Sequence, residues 1–233
     1  MQATNAEFTN RAVIFGCIIG VSFGLYSLDP ENATAILANW LSPKLGMDAD
    51  GLARALFVLA ALLLAVAALI RTWASSYLNA SVVYASEVKT AWLVADGPYR
   101  YVRNPLYFAN ILMAIGMGAM MSRSGLAVCV AAMIVFCYRL ILREEAELSA
   151  SQGESYDAYR QRVPRLWPAL RPRVPSTASQ PAWGAGFQAE SWYWGFALAV
   201  LGFAFTLKLE VFFIVTAASI GGFWLLTARP KKK

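Results

Sequence analysis

Six apolar stretches, at 12–28, 52–70, 105–121, 125–142, 191–207 and 209–226, dominate this 233-residue chain. Each is about 17–20 residues long, and at about 1.5 Å rise per residue a helix of that length reaches across a hydrocarbon core of about 30 Å. Lipid offers no partner to a backbone N–H or C=O, so such segments fold as helices. Only 15% of the residues are charged and 58% are hydrophobic, with a mean hydropathy of +0.50, which is poor in charge for a soluble domain. The expectation is an all-α fold: a polytopic transmembrane helical bundle of about six spans, integral to the membrane, with its chemistry in the loops.

The net charge of +6 does not point to nucleic acid, because the basic residues flank the apolar stretches rather than lining one soluble face. In a six-span arrangement all Lys and Arg except Lys44, Arg54, Arg123 and Lys208 fall on one side. The positive-inside rule then places both termini in the cytoplasm of a multi-pass protein. Glu7 and Arg11 precede the first stretch, and no small-x-small cleavage site lies before Asp29 and Pro30, so that stretch reads as a retained helix. Trp40, Trp73, Trp92, Trp167, Trp183, Trp192, Trp194 and Trp224 lie at stretch ends or in loops, as in an interfacial belt.

Histidine is absent, and Cys17, Cys129 and Cys137 lie inside apolar stretches without ligand spacing. Zinc fingers and Cys/His nucleophile pairs are excluded, and no metal site is expected. Gly16, Gly20 and Gly24 put three bare positions on one helical face. They should admit another helix closely, a neighbour in the same chain being favoured over a homo-oligomer. We divide the chain into a core over 1–168, a Pro-rich linker over 169–190, and a C-terminal transmembrane hairpin with a basic tail over 191–233. The hairpin turns tightly around Lys208 and Glu210. There is no internal repeat.

Two intervening segments, 71–104 and 139–190, are too long for plain connectors. The first contains Asp96-Gly97-Pro98-Tyr99-Arg100-Tyr101-Val102-Arg103-Asn104-Pro105-Leu106-Tyr107. Pro105 suits a first helical turn, whose free N–H groups attract anions. Arg100 and Arg103 could clamp a carboxylate or phosphate, and Tyr99, Tyr101 and Tyr107 could stack on a ring or a cation. A membrane-surface loop anchored by arginines and tyrosines has the same composition. The second runs from Arg143-Glu144-Glu145-Ala146-Glu147-Leu148 to Tyr156, Tyr159, Arg162, Val163 and Pro164. A continuous helix would bring Glu145, Leu148, Tyr156 and Tyr159 to one face, with Glu144 about 100° away. A solvated helical extension is the alternative, and Gly153 weakens the helix. The third and fourth stretches form a short hairpin, so the two segments should be neighbours.

Together these residues resemble the membrane-embedded methyltransferases that include isoprenylcysteine carboxyl methyltransferase and the phospholipid methyltransferases. The shared pattern is Leu93, Val94, Gly97, Tyr99, Arg103, Asn104, Pro105 and Tyr107, then Glu144, Glu145, Gly153, Tyr156, Tyr159, Arg162, Val163, Pro164 and Pro168, covering about 71–168. The resemblance implies an enzyme that moves a methyl from S-adenosyl-L-methionine to a membrane lipid or small prenylated acceptor. It implies cofactor binding by Leu93, Val94, Tyr99, Arg103, Asn104, Pro105, Tyr107 and Glu144, and catalysis around Glu144, Glu145 and Arg143. It also implies substrate contacts from Tyr156, Tyr159 and an arginine ending the fourth stretch, Arg139 or Arg143. Two positions depart from the pattern: Asn104 replaces the family histidine, and Gln152 replaces an aromatic residue. Two other readings stay open, an intramembrane sterol-type reductase using NADPH and a non-catalytic membrane protein of the same fold.

Overall fold

The computed structural model describes residues 2–87 and 94–227, with side chains over 2–78 and 94–225. In chain order its helices are α1 (Asn5–Thr9), α2 (Arg11–Gly24), α3 (Ala33–Leu45), α4 (Ala49–Glu87), α5 (Pro105–Gly118), α6 (Arg123–Gln152), α7 (Glu154–Arg162), α8 (Trp183–Thr206) and α9 (Leu209–Thr227). Short 3-10 turns at Leu25–Ser27 and Gly97–Arg100 complete the set.

The all-α expectation holds, but about six spans do not. Among the described residues two helices are long and apolar enough to cross a membrane, Ala49–Leu78 and Arg123–Gln152. These two support integral membrane character. The apolar stretches at 12–28 and 105–121 are cut short by turns and caps. Leu25–Ser27 tightens into a 3-10 turn after α2, and α5 ends at Gly118 in a turn ahead of the Ser122 cap, whose hydroxyl accepts from Gly125 N–H at 3.1 Å. In α8 the first half carries Gln188 and Glu190, which lowers its apolar character.

Helix α4 is the spine, with α8, α5 and α3 packed along it, while α6 joins α5 and α2. The core interleaves Leu64, Ala67 and Ala68 of α4 with Met113, Ala114 and Met117 of α5, Met133, Cys137 and Leu140 of α6, and Ala199 and Val200 of α8. Small residues set the approach distances: a Cβ on Gly186 would sit 2.7 Å from the Thr72 carbonyl oxygen, so α8 rides on the α4 backbone.

Three sequence expectations are corrected here. A Cβ on Gly16, Gly20 or Gly24 would meet nothing within 4 Å, so no described helix of the chain packs on that face. The close contact of α2 is made instead by its Ser22 carbonyl against Gly125 of α6. The helix expected to continue from Glu145 to Tyr159 breaks at Gly153, whose φ of 54° and ψ of −129° suit glycine alone, and α7 starts in a new direction. The linker over 169–190 is extended only until α8 begins at Trp183. Helices α8 and α9 pack on each other across a reversal at Leu207 in the left-handed region, and α8 is packed into the core. Residues 228–233, the basic tail, lie outside the described residues, as do Leu93 and Trp92.

Candidate active site

The turn before α5 is held by its own glycine and by the linker. Gly97 has φ 57°, and a Cβ there would collide with the Tyr77 ring. Buried Asp96 accepts from the Ser176 hydroxyl at 2.7 Å, from Thr177 N–H at 3.0 Å, from the Thr177 hydroxyl, and from Ser179 N–H at 3.2 Å. Burial alone would raise the Asp96 pKa, but these donors outweigh it and hold the carboxyl well below the usual range. Arg100 Nε donates to the Val174 carbonyl at 3.0 Å, and Ala169 N–H donates to the Tyr101 carbonyl at 2.9 Å. The Pro-rich segment is therefore a strap that fixes the turn.

Adjacent carboxylates on α6 then do different things. The Tyr107 hydroxyl donates to Glu144 Oε1 at 2.7 Å. Glu145 faces another way and gathers Arg103 at 3.3 Å, Arg165 at 2.9 Å and the Asn104 amide at 3.3 Å. Asn104 also donates to the Arg165 carbonyl at 3.0 Å. An amide that donates twice thus occupies the position where the resembled pattern has histidine. On α7, Tyr156 and Tyr159 are buried with Val163 against Ala95, Leu148 and Val174, and the Tyr159 hydroxyl donates to the Tyr99 carbonyl at 2.7 Å. Burial pushes the Tyr156 phenol up to about 12 and the Tyr99 and Tyr159 phenols higher still, so all three stay neutral donors and ring faces.

These elements enclose a cavity of about 420 Å³. Of the residues singled out in the sequence, Val94, Tyr99, Arg103, Asn104, Pro105, Tyr107, Glu144, Tyr156 and Tyr159 line it. Glu145, Arg139 and Arg143 are not in its lining: Arg139 is bound to Glu7 at 2.7 Å, and Arg143 to Glu147 at 2.8 Å. Arg11, Phe15, Arg71, Asn110, Leu148 and Gln152 line it too and had not been assigned to a site.

Arg71 is the largest omission. Its Nε lies 2.6 Å from Glu190 Oε2, a second nitrogen donates to Asn110 Oδ1 at 2.7 Å, and its guanidinium sits 4.0 Å from the Tyr193 ring centroid. Ser75 donates to Glu190 at 2.5 Å. The signal was present: Arg71, Asn110 and Glu190 are polar residues in or beside apolar stretches, where such groups need partners. Two cavity-lining residues keep unmet groups, for Arg103 Nε and Gln152 Oε1 are buried without a hydrogen-bond partner. Among the described residues no cluster of three His, Cys, Asp or Glu side chains could hold a metal ion.

Residues 55–153 match the family model described as phospholipid methyltransferase. Two curated proteins are similar. The nickel-cobalt-cadmium resistance protein NccN of Alcaligenes xylosoxydans xylosoxydans is 34% identical over 88 residues, 38% of this chain and 41% of that protein. The cobalt-zinc-cadmium resistance protein CzcN of Cupriavidus metallidurans is 28% identical over 137 residues, 59% of this chain and 60% of that protein. The chain thus spans less than two thirds of either relative's length. No solved structure matches. The resemblance read from the sequence is met by a family-model match over the segment that carries Tyr99, Tyr107 and Glu144: residues 55–153 are similar to the phospholipid methyltransferases.

Proposed function

We propose that this protein is a membrane-bound methyltransferase that uses S-adenosylmethionine to methylate a lipophilic acceptor. The observation that carries the reading is the Tyr107–Glu144 pair in a cavity ringed by Tyr99, Tyr156 and Tyr159, within and just beyond the family-matched segment. The cofactor, when bound, supplies a methyl already activated on a sulfonium. The residues present suit such a group. The Glu144 carboxylate and the tyrosine faces can balance a cation in a low-dielectric cavity. Arg103 Nε and Gln152 Oε1, a donor and an acceptor left without partners, suit a ligand with a carboxylate and an N–H. Each such buried group costs about 1–3 kcal/mol until it is met.

The protein's task is then to position and to exclude water. Phe15, Leu106 and Leu148 form the dry part of the lining. An acceptor carboxylate needs no base, whereas an acceptor amine must lose a proton, and Glu144 is the carboxylate placed in the cavity to take it. Glu145 serves by holding Arg103 and Asn104 in place. Arg160, Arg162 and Arg165 follow α6 in the chain, and Arg100 precedes α5. By the positive-inside rule we place the cavity on the cytosolic side, where the cofactor is made.

One other reading is a non-catalytic membrane protein of the same fold; the names of the relatives speak of metal resistance and are compatible with either. The two separate in one experiment. Protein in lipid nanodiscs is supplied with methyl-labelled cofactor, and the lipid extract is analysed by mass spectrometry. Label in a lipophilic product, lost in Glu144→Gln, is expected. No label together with no binding of S-adenosylhomocysteine overturns the enzyme reading, and an NADPH titration in parallel tests the reductase.

A further inference from the structure

Three arginines line the cavity, and two of them are spoken for. Arg71 is paired with Glu190, while Arg103 shares Glu145 with Arg165 and keeps its Nε for the cofactor's carboxylate in the methyltransferase reading. The arginines that end the apolar part of α6, Arg139 and Arg143, are paired with Glu7 and Glu147 outside the lining. Arg11, in the first turn of α2, is different. It donates to the Phe8 carbonyl oxygen at 2.8 Å and sits 4.5 Å from the Phe8 ring centroid; it acts on Glu144 and Tyr107 only through space, and among the described residues no carboxylate forms an ion pair with it. It is exposed, and most of its five N–H donors remain free. One helical turn on, Phe15 lines the same cavity and packs edge-to-face on Phe136 at 5.1 Å. Positions 11 and 15 share a helix face, so a cation and an apolar ring stand in sequence along one wall.

We propose that Arg11 is the acceptor-recognition residue, binding an anionic oxygen group, carboxylate or phosphate ester, of an amphiphile whose apolar part runs along Phe15. The assignment rests on the methyltransferase reading and deepens it. Once Glu144, which lies within the field of Arg11, balances the sulfonium, Arg11 is a cavity-lining cation without an ion pair, and an anionic acceptor meets it. Both residues lie outside the family-matched segment 55–153, so this specificity belongs to the N-terminal helix of this chain. An exposed arginine in a first turn can be replaced without unfolding the helix.

The test uses the full-length protein in nanodiscs. Binding of an S-farnesylated cysteine with a free carboxylate is compared with its uncharged carboxamide, and phosphatidylethanolamine discs are compared with phosphatidylcholine discs for methyl transfer. S-adenosylhomocysteine binding is measured alongside. Arg11→Gln is expected to weaken the anionic probe, or raise KM for the phospholipid, roughly ten- to hundredfold. The carboxamide and S-adenosylhomocysteine should be unaffected, and Arg11→Lys should restore part of the loss. The probe that responds identifies carboxylate or phosphate as the group held. Equal binding and equal KM in wild type and Arg11→Gln overturn the proposal, as does an equal loss for acid and carboxamide. If S-adenosylhomocysteine fails to bind but the anionic probe binds through Arg11, the methyltransferase reading falls and the anion site stands.

Discussion

The two ends of α5 handle buried polar groups in opposite ways. At its C-terminal end the Asn32 amide donates to the Tyr26 hydroxyl at 2.8 Å and the Ala119 carbonyl at 3.1 Å, while its oxygen accepts from Ala35 N–H at 2.9 Å. The Tyr26 hydroxyl in turn donates to the Met120 carbonyl at 3.0 Å, and the Thr34 hydroxyl donates to the Ala119 carbonyl at 2.8 Å. Asp29 takes Ser124 N–H and Arg123. At the N-terminal end Arg103 and Gln152 keep buried groups without partners around a cavity. A finished network rigidifies and specifies; an unfinished one beside empty space is where a ligand completes the count. The Ser22 hydroxyl, near Gly125, is also unmet, but the Asn32 network is complete; by that criterion this network is a structural clasp and the second end a site.

The Arg71–Glu190 pair tests the boundary, because it touches the cavity yet is internally complete. Glu190→Ala should lower stability by about 3–5 kcal/mol by stranding a buried cation, measured by thermal denaturation in detergent. A small loss would mean that α8 is held to α4 by packing alone. Asn32→Ala should cost about 1–3 kcal/mol and leave S-adenosylhomocysteine affinity unchanged; a fall in affinity would blur the two ends. Gly153→Ala, forced into φ 54°, should cost about 1–3 kcal/mol and weaken cofactor binding as well, since the turn sets Tyr156 and Tyr159. The smallest effect is on pH. Ser124 N–H and Arg123 hold the Asp29 carboxyl down to about 2. Its contribution is therefore complete above the ordinary carboxylate range of about 4 and is lost as pH falls through about 2. Arg123→Ala should flatten that acid limb of the melting curve.

Much of the site was legible because its markers are local. Gly97, Pro105 and the Glu144–Glu145 doublet sit at fixed spacing, and the short α5–α6 turn makes them neighbours. The division of labour between Glu144 and Glu145 was half visible, as about 100° of helix separates them. Which of the two would face the cavity depended on Arg165, a residue with no periodic signal. Arg71, Asn110 and Glu190 come from three separate stretches, and tertiary packing alone unites them. The span number failed because apolar length was read without the turns that end α2 and α5 early, or the polar half of α8. The Gly16, Gly20 and Gly24 face was read correctly as bare but not as outward.

The central claim is that the cavity end alone binds the cofactor, through Glu144. Calorimetric titration of S-adenosylhomocysteine into nanodisc-embedded wild type, Asn32→Ala and Glu144→Gln tests it most directly. Equal binding by the first two, and at least roughly tenfold weaker binding by Glu144→Gln at an unchanged melting temperature, is the expected result. Undiminished binding by Glu144→Gln, or none by the wild type, would contradict it.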